Sequence, residues 1–337
     1  ETLYNKMFYN CSVLASVELP ETITALGNVY GSTYSNSYSP FYGCAKLASM
    51  VIPDTVDSVQ KYLFYKCSGL KTVTLSANMT ELPSNFFEGC TALTEIKVSE
   101  GSKNFASVGG VLFDNNKETL LYYPANKADA TYTVPDTVKT ISYRAFEFSS
   151  ALKTIFLNDG LETIENFAFD NCGNLLYITI PGTVTSMGKG VLAQCNLLNK
   201  VTIEDGVTAI PEDAFDRCRS LETVNLPDSL TTIGDIAFFG CTKLKTLKLP
   251  KNLQTFTDSP GRNFGGLNIA LTVDPENQYF CTDDLGVLYN KDKTLLYFCP
   301  NLPYTFDYTV RCNLNEYAFS GCENLRNVDI DYNLRAI

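Results

Sequence analysis

Ile210-Pro-Glu-Asp-Ala214-Phe215-Asp-Arg-Cys218-Arg-Ser-Leu221-Glu-Thr-Val224-Asn-Leu226-Pro227-Asp-Ser-Leu230 is one unit of a pattern that fills the chain. The next unit begins 23 residues later at Ile233 and repeats the same positions through Ala237, Phe238, Cys241, Leu244, Leu247, Leu249, Pro250 and Leu253. Self-similarity at such a period marks an array of stacked units.

Working outward, the Phe position holds Phe8, Phe41, Phe64, Phe87, Phe146, Phe169, Phe215, Phe238 and Phe319, with Leu192 substituting once. Three residues later stand Cys11, Cys44, Cys67, Cys90, Cys172, Cys195, Cys218, Cys241 and Cys322, with Ser149 as the exception. The Leu position holds Leu14, Leu47, Leu70, Leu93, Leu152, Leu175, Leu198, Leu221, Leu244 and Leu325. Leu-x-x-Val-x-Leu ends in apolar residues at period two, the strand signal, and stops at Pro, which has no N–H to continue pairing. The remainder spaces its apolar residues by three or four, which suits a short 3₁₀ or helical return. One unit cannot bury its own apolar side. Stacked units share one core and line up their strands as a parallel sheet.

The run Ala-Phe-x-x-Cys-x-x-Leu-x-x-Ile-x-Leu-Pro-x-x-Leu-x-x-Ile resembles the BspA-like leucine-rich repeats of secreted and cell-surface proteins. The resemblance covers essentially the whole chain. The expected fold is a leucine-rich-repeat solenoid of the α/β horseshoe-like class, strand-rich, with 23-residue repeats. It should be right-handed by the crossover rule. A single domain over residues 1–337 is expected, and because the array starts and stops in mid-pattern, a piece of a longer chain. The resemblance implies a bacterial or protozoan protein outside the cell or on its surface that recognises a host or microbial protein or glycan.

Insertions interrupt the array at about 27–40, 99–134 and 274–310. The last two are related: Gly110-Val-Leu-Phe113 and Thr119-Leu-Leu-Tyr122 match Gly286-Val-Leu-Tyr289 and Thr294-Leu-Leu-Tyr297. Each pair flanks a polar turn, Asp114–Lys117 or Asn290–Lys293, and reads as a β-hairpin. The first insertion carries Tyr30, Tyr34 and Tyr38 among Gly, Ser and Asn, the composition of adaptable recognition loops. A solvated loop is the plainer reading of the same residues.

The chain has 337 residues, 45% of them hydrophobic, a net charge of −11 and no His. A nucleic-acid partner is disfavoured because a polyanion repels an acidic chain. Ser-His-Asp and Cys-His catalysis are impossible without His. No apolar run approaches a membrane span. No catalytic residue, metal site or cofactor is expected, and the protein is expected to be a monomer. The nine Cys at one repeat position read as small buried residues, because stacked equivalents point the same way rather than at each other. Cys281 and Cys299 flank the second hairpin, and two readings stay open for them: a disulfide or free thiols.

The outward positions of the strands are mostly Thr, Lys and Asn. Phe156, Leu176 and Tyr177 depart from that pattern on adjacent repeats, beside Thr179 and Lys200. An exposed apolar cluster with a polar rim is the expected ligand-binding site. Coverage of Phe156 by the 99–134 insertion is the competing reading. Two other functions stay in view: a structural spacer, which a flat polar face would favour, and a carbohydrate-active enzyme, which a deep acidic cleft would favour.

Overall fold

The structure, a computed structural model, describes residues 1–27 and 39–330. The chain divides into two compact units: Glu1–Asp129 with Thr140–Ala151, and Ala130–Lys139 with Leu152–Ile337. Each is built from parallel strands stacked coil on coil. In the first unit Ser49–Val51, Thr72–Leu75 and Glu95–Val98 pair in parallel with a 23-residue register. In the second, Thr131–Thr133, Thr154–Phe156, Tyr177–Ile180, Lys200–Ile203 and Thr223–Asn225 form one ladder. Alternate residues Ile155, Ile178, Ile180, Val201 and Ile203 are buried, so this face of the ladder lines the core.

Several coils also carry a second, two-residue strand that the sequence reading assigned to the return. Ala209–Ile210, Thr232–Ile233 and Thr255–Phe256 pair in parallel, as do Thr163–Ile164 and Ser186–Met187. Proline cuts this second ladder. At one repeat position Gly188 N donates to Ile164 O (2.7 Å), Gly234 N to Ile210 O (2.8 Å) and Thr257 N to Ile233 O (3.0 Å). Pro211 fills the same position and has no N–H. Ser186–Met187 and Ala209–Ile210 accordingly belong to separate sheets. A recess of about 200 Å³ opens between them. In the first unit Gly27 N and Gln60 N donate to Leu3 O and Leu26 O, Pro83 stands next in that series, and no strand forms at Glu81–Leu82.

The returns are not helical. The one helix among the described residues is Pro260–Phe264, where the Ser259 hydroxyl accepts from Gly261 N. Elsewhere a left-handed residue stands two positions either side of the Phe position. Phe64 lies between Tyr62 (φ 60°) and Lys66 (φ 59°), Phe169 between Phe167 (φ 58°) and Asn171 (φ 56°), and Phe215 between Asp213 (φ 57°) and Arg217 (φ 56°). Each left-handed residue costs about 1–2 kcal/mol and breaks any right-handed helix. What it gains is direction, since the return's N–H groups turn along the stack. Phe167, Phe169 and Asn171 donate to Lys189, Val191 and Ala193 of the next coil at 2.8, 2.9 and 3.0 Å. A 3₁₀ turn would use those donors within its own coil.

Aromatic rings and thiols fill the space beneath the returns. Phe8 stacks on Phe41 (centroids 5.5 Å), Phe41 on Phe64 (5.9 Å) and Phe64 on Phe87 (6.2 Å) in the first unit. In the second, Phe238 follows Phe215 at 5.3 Å. Cys44, Cys67, Cys90, Cys172, Cys195, Cys218 and Cys241 are buried, Cys322 is half-buried and Cys11 of the first coil is exposed. The thiols also donate hydrogen bonds. Cys67 Sγ bonds Phe41 O (3.0 Å), Cys90 Sγ bonds Phe64 O (3.1 Å), and Cys218 Sγ bonds Leu192 O (3.1 Å). Cys at this position is thus small enough for the core and satisfies the carbonyl of the preceding coil's Phe position.

Both longer insertions contain the expected hairpin with an additional leading strand. Phe105–Val108, Val111–Asp114 and Thr119–Tyr122 run antiparallel, and the last pairs in parallel with Thr140–Ile141. Phe280–Thr282, Leu288–Asn290, Leu295–Phe298 and Asn313–Leu314 repeat that order. The register corrects the match by letters. Leu120 and Leu296 hold equivalent places opposite Phe113 and Tyr289, so Thr119 corresponds to Leu295 rather than Thr294. A disulfide between Cys281 and Cys299 is absent, and both thiols are free. Cys281 faces Tyr289, which faces Leu296, so a whole strand lies between the two segments. Two strand spacings make roughly 10 Å, beyond disulfide reach.

Candidate functional site on the outer strand face

The outward positions of the second unit's ladder fall into rows, because the register is kept from coil to coil. Thr154, Tyr177, Lys200 and Thr223 make one row. Thr133 pairs with Phe156, and Thr179 pairs with Thr202. Two residues along from the Thr154–Tyr177 pair, Phe156 stands level with Thr179. The strand alternation that buries Ile155 and Ile178 turns Phe156 and Tyr177 outward.

Phe156 is 54% exposed, Tyr177 50% and Leu176 36%. Within the second unit both rings are therefore half exposed on the strand face. Lys200 is exposed on the strand beside Tyr177. The sequence reading thus named residues that the fold brings together: Phe156, Leu176, Tyr177, Thr179 and Lys200. Tyr30, Tyr34 and Tyr38 lie outside the described residues.

Between the rings is a shallow recess of about 120 Å³, lined among others by Thr154, Phe156, Asp159, Tyr177, Thr179 and Glu204. Thr154, Asp159 and Glu204 are not among the binding residues expected from the sequence. Stepping back 23 residues from Tyr177 finds Thr154 at once, whereas Asp159 and Glu204 follow the strands and need the turn geometry. Glu204 is exposed, and its Oε2 accepts weakly from Gly182 N at 3.4 Å. The recess is well below the roughly 300–1,000 Å³ of enclosed small-molecule sites. Its chemistry is that of a contact surface, with two aromatic faces, hydroxyl groups and two carboxylates. No group of three His, Cys, Asp or Glu residues among the described residues could hold a metal. No helix there is long and apolar enough to cross a membrane.

Stacked coils whose parallel strands line a Leu/Ile/Phe core, in 23-residue repeats, define a leucine-rich-repeat solenoid. The BspA type leucine rich repeat region matches residues 1–129, 126–244, 208–260 and 295–337, and the chain belongs to that family. No curated protein sequence matches it. Among solved structures it is similar to a leucine-rich repeat protein from Eubacterium ventriosum ATCC 27560. That likeness has 22% identity and a TM-score of 0.55, over 78% of this chain and 84% of the other. It is also similar to the pneumococcal vaccine antigen PcpA, with 26% identity and a TM-score of 0.50 over 72% of this chain. The match spans 62% of the PcpA chain.

Proposed function

We propose that this protein is a non-catalytic binding protein of the cell surface or the extracellular space, adhesin-like, whose ligand is a host or microbial protein or glycan. Its contact surface is the outer strand face centred on Phe156 and Tyr177, with Leu176, Thr179 and Lys200 around them. The observation that carries this reading is the exposure of two large rings on adjacent strands of a face otherwise made of Thr, Asn and Lys. Keeping such rings in water is unfavourable, and burying one fully in a partner returns about 1.5–3 kcal/mol. BspA-type leucine-rich repeat proteins are typically extracellular or surface-associated, which supports the location.

Surface plasmon resonance against extracellular-matrix proteins, mucins and microbial glycans tests it, with a Phe156→Ser/Tyr177→Ser variant alongside. The expected result is saturable binding that weakens at least about tenfold in the variant, as for a central hot spot. Binding that the variant keeps in full would move the site off this face. No binding to any ligand class would support a spacer role instead.

A further inference from the structure

The register of the second insertion places an unmatched cysteine pair side by side. In ordinary coils the residue at the Phe position donates its N–H to the Ala position of the next coil, as Phe215 does to Ala237 (2.8 Å) and Tyr123 to Ala145 (2.7 Å). Cys299 N donates to Ala318 O at 2.7 Å, so Cys299 occupies the Phe position of its coil. The following coil carries Cys322 at the usual Cys position. Its Sγ lies 3.0 Å from Cys299 O, as other slot thiols lie against the carbonyl of a Phe-position residue. Both sulfurs then converge on one further atom, each 3.9 Å from Pro300 O.

The two positions set this pair apart from the thiol ladder. Cys172, Cys195 and Cys218 repeat one position, so their Cα–Cβ bonds run parallel even where neighbouring thiols touch. Cys299 and Cys322 come from two different positions, so that objection does not hold for them. Cys299 is buried and Cys322 only half-buried, so one thiol of the pair is open to a reagent.

We infer that Cys299 and Cys322 form a disulfide that staples consecutive coils when the protein meets a low-molecular-weight disulfide oxidant. The Cys322 thiol loses its proton to solvent and attacks one sulfur of the oxidant, expelling a first thiolate. Cys299, as its thiol deprotonates, attacks Cys322 Sγ in that mixed disulfide. The protein S–S bond forms, the second thiolate leaves, and both thiolates take up the two protons released. Two protein thiols are oxidised and one oxidant disulfide is reduced to two thiols. The order follows access and electrostatics. The Cys299 S–H directed at the Cys322 sulfur lowers the Cys322 pKa, and the same contact together with burial raises that of Cys299.

The test is to incubate the folded protein with oxidised glutathione, unfold it in an alkylating agent, digest it without reductant and map the peptides by mass. The expected product joins the Cys299 and Cys322 peptides, two hydrogens lighter than their sum, and separates on reduction. Cys299→Ser should stop the reaction at a glutathione adduct on Cys322, whereas Cys322→Ser should leave Cys299 alkylated and free of glutathione. Oxidised wild type should melt higher than reduced wild type, a difference absent in both variants. Recovery of both residues as alkylated thiols, or of a bridge from either to Cys281 or Cys312, would overturn the inference.

Discussion

The returns and the outer strand face belong to the same coils and follow opposite rules. Beneath the returns nearly every position is fixed: Phe215 packs on Phe238, Cys218 and Cys241 bond the preceding coil, and left-handed residues send N–H groups to the next one. On the outer face one repeat position holds Thr154, Tyr177, Lys200 and Thr223 in turn, with no change in strand register. Stability therefore resides in positions that recur, and recognition is free to use positions that vary.

The largest expected effect is alkaline, and it probes the return side alone. Burial, together with the neighbouring thiol, raises Cys44 to about 11 and Cys67 to about 12, and holds Cys90, Cys195, Cys218 and Cys241 well above the usual thiol range. In the unfolded chain these thiols ionise near 9. Above that pH the unfolded state binds fewer protons than the folded one, so stability, complete below pH 9, falls as pH rises. The slope is roughly 1.4 kcal/mol per pH unit for each such thiol. Denaturation midpoints followed from pH 8 upward should drop steeply, and less steeply after Cys67→Ala. A slope that the substitution leaves unchanged would break the comparison.

Next in size, Phe215→Ala removes a fully buried ring that packs on Phe238 and should cost about 3–5 kcal/mol in equilibrium denaturation. A smaller change tests the proline cut. Pro211→Ser restores the missing N–H at a position where Ser142 N already donates to Leu120 O (3.0 Å). It should stabilise by about 0.5–1.5 kcal/mol, with slow hydrogen exchange at the new amide. Rapid exchange there would mean the two short strands stay apart for another reason. Smallest of all, Phe156→Ser and Tyr177→Ser should each shift stability by no more than about 0.5 kcal/mol. A loss as large as that of Phe215→Ala would make the outer rings structural and erase the contrast.

Much of this fold was legible because repetition substitutes for an alignment. Nine cysteines at one position identify a coil, and a 23-residue step then locates the strand neighbours of the uninterrupted coils, including those that bring Phe156 and Tyr177 together. Features shorter than a period stayed hidden. A two-residue strand such as Thr232–Ile233 cannot show alternation. Nothing in the letters Tyr62 or Lys66 announces a left-handed backbone, because other coils at those places use Asn or Gly, and only the demand for bonds along the stack selects it. The off-by-one match of the second hairpin had a similar origin, since Thr-Leu-Leu-Tyr agrees in letters while pairing follows the turn. That single step is also what puts Cys299, rather than Phe298, into the Phe position.

The thiol ladder has one more use. Seven covered sulfurs, one per coil, are spread from Cys44 to Cys241. A thiol reagent can mark a coil only after that coil has opened. In mild denaturant the order in which these cysteines acquire label would record where the stack begins to unzip and how far each opening runs. The protein thus carries its own graduated ruler for unfolding, with no probe to introduce.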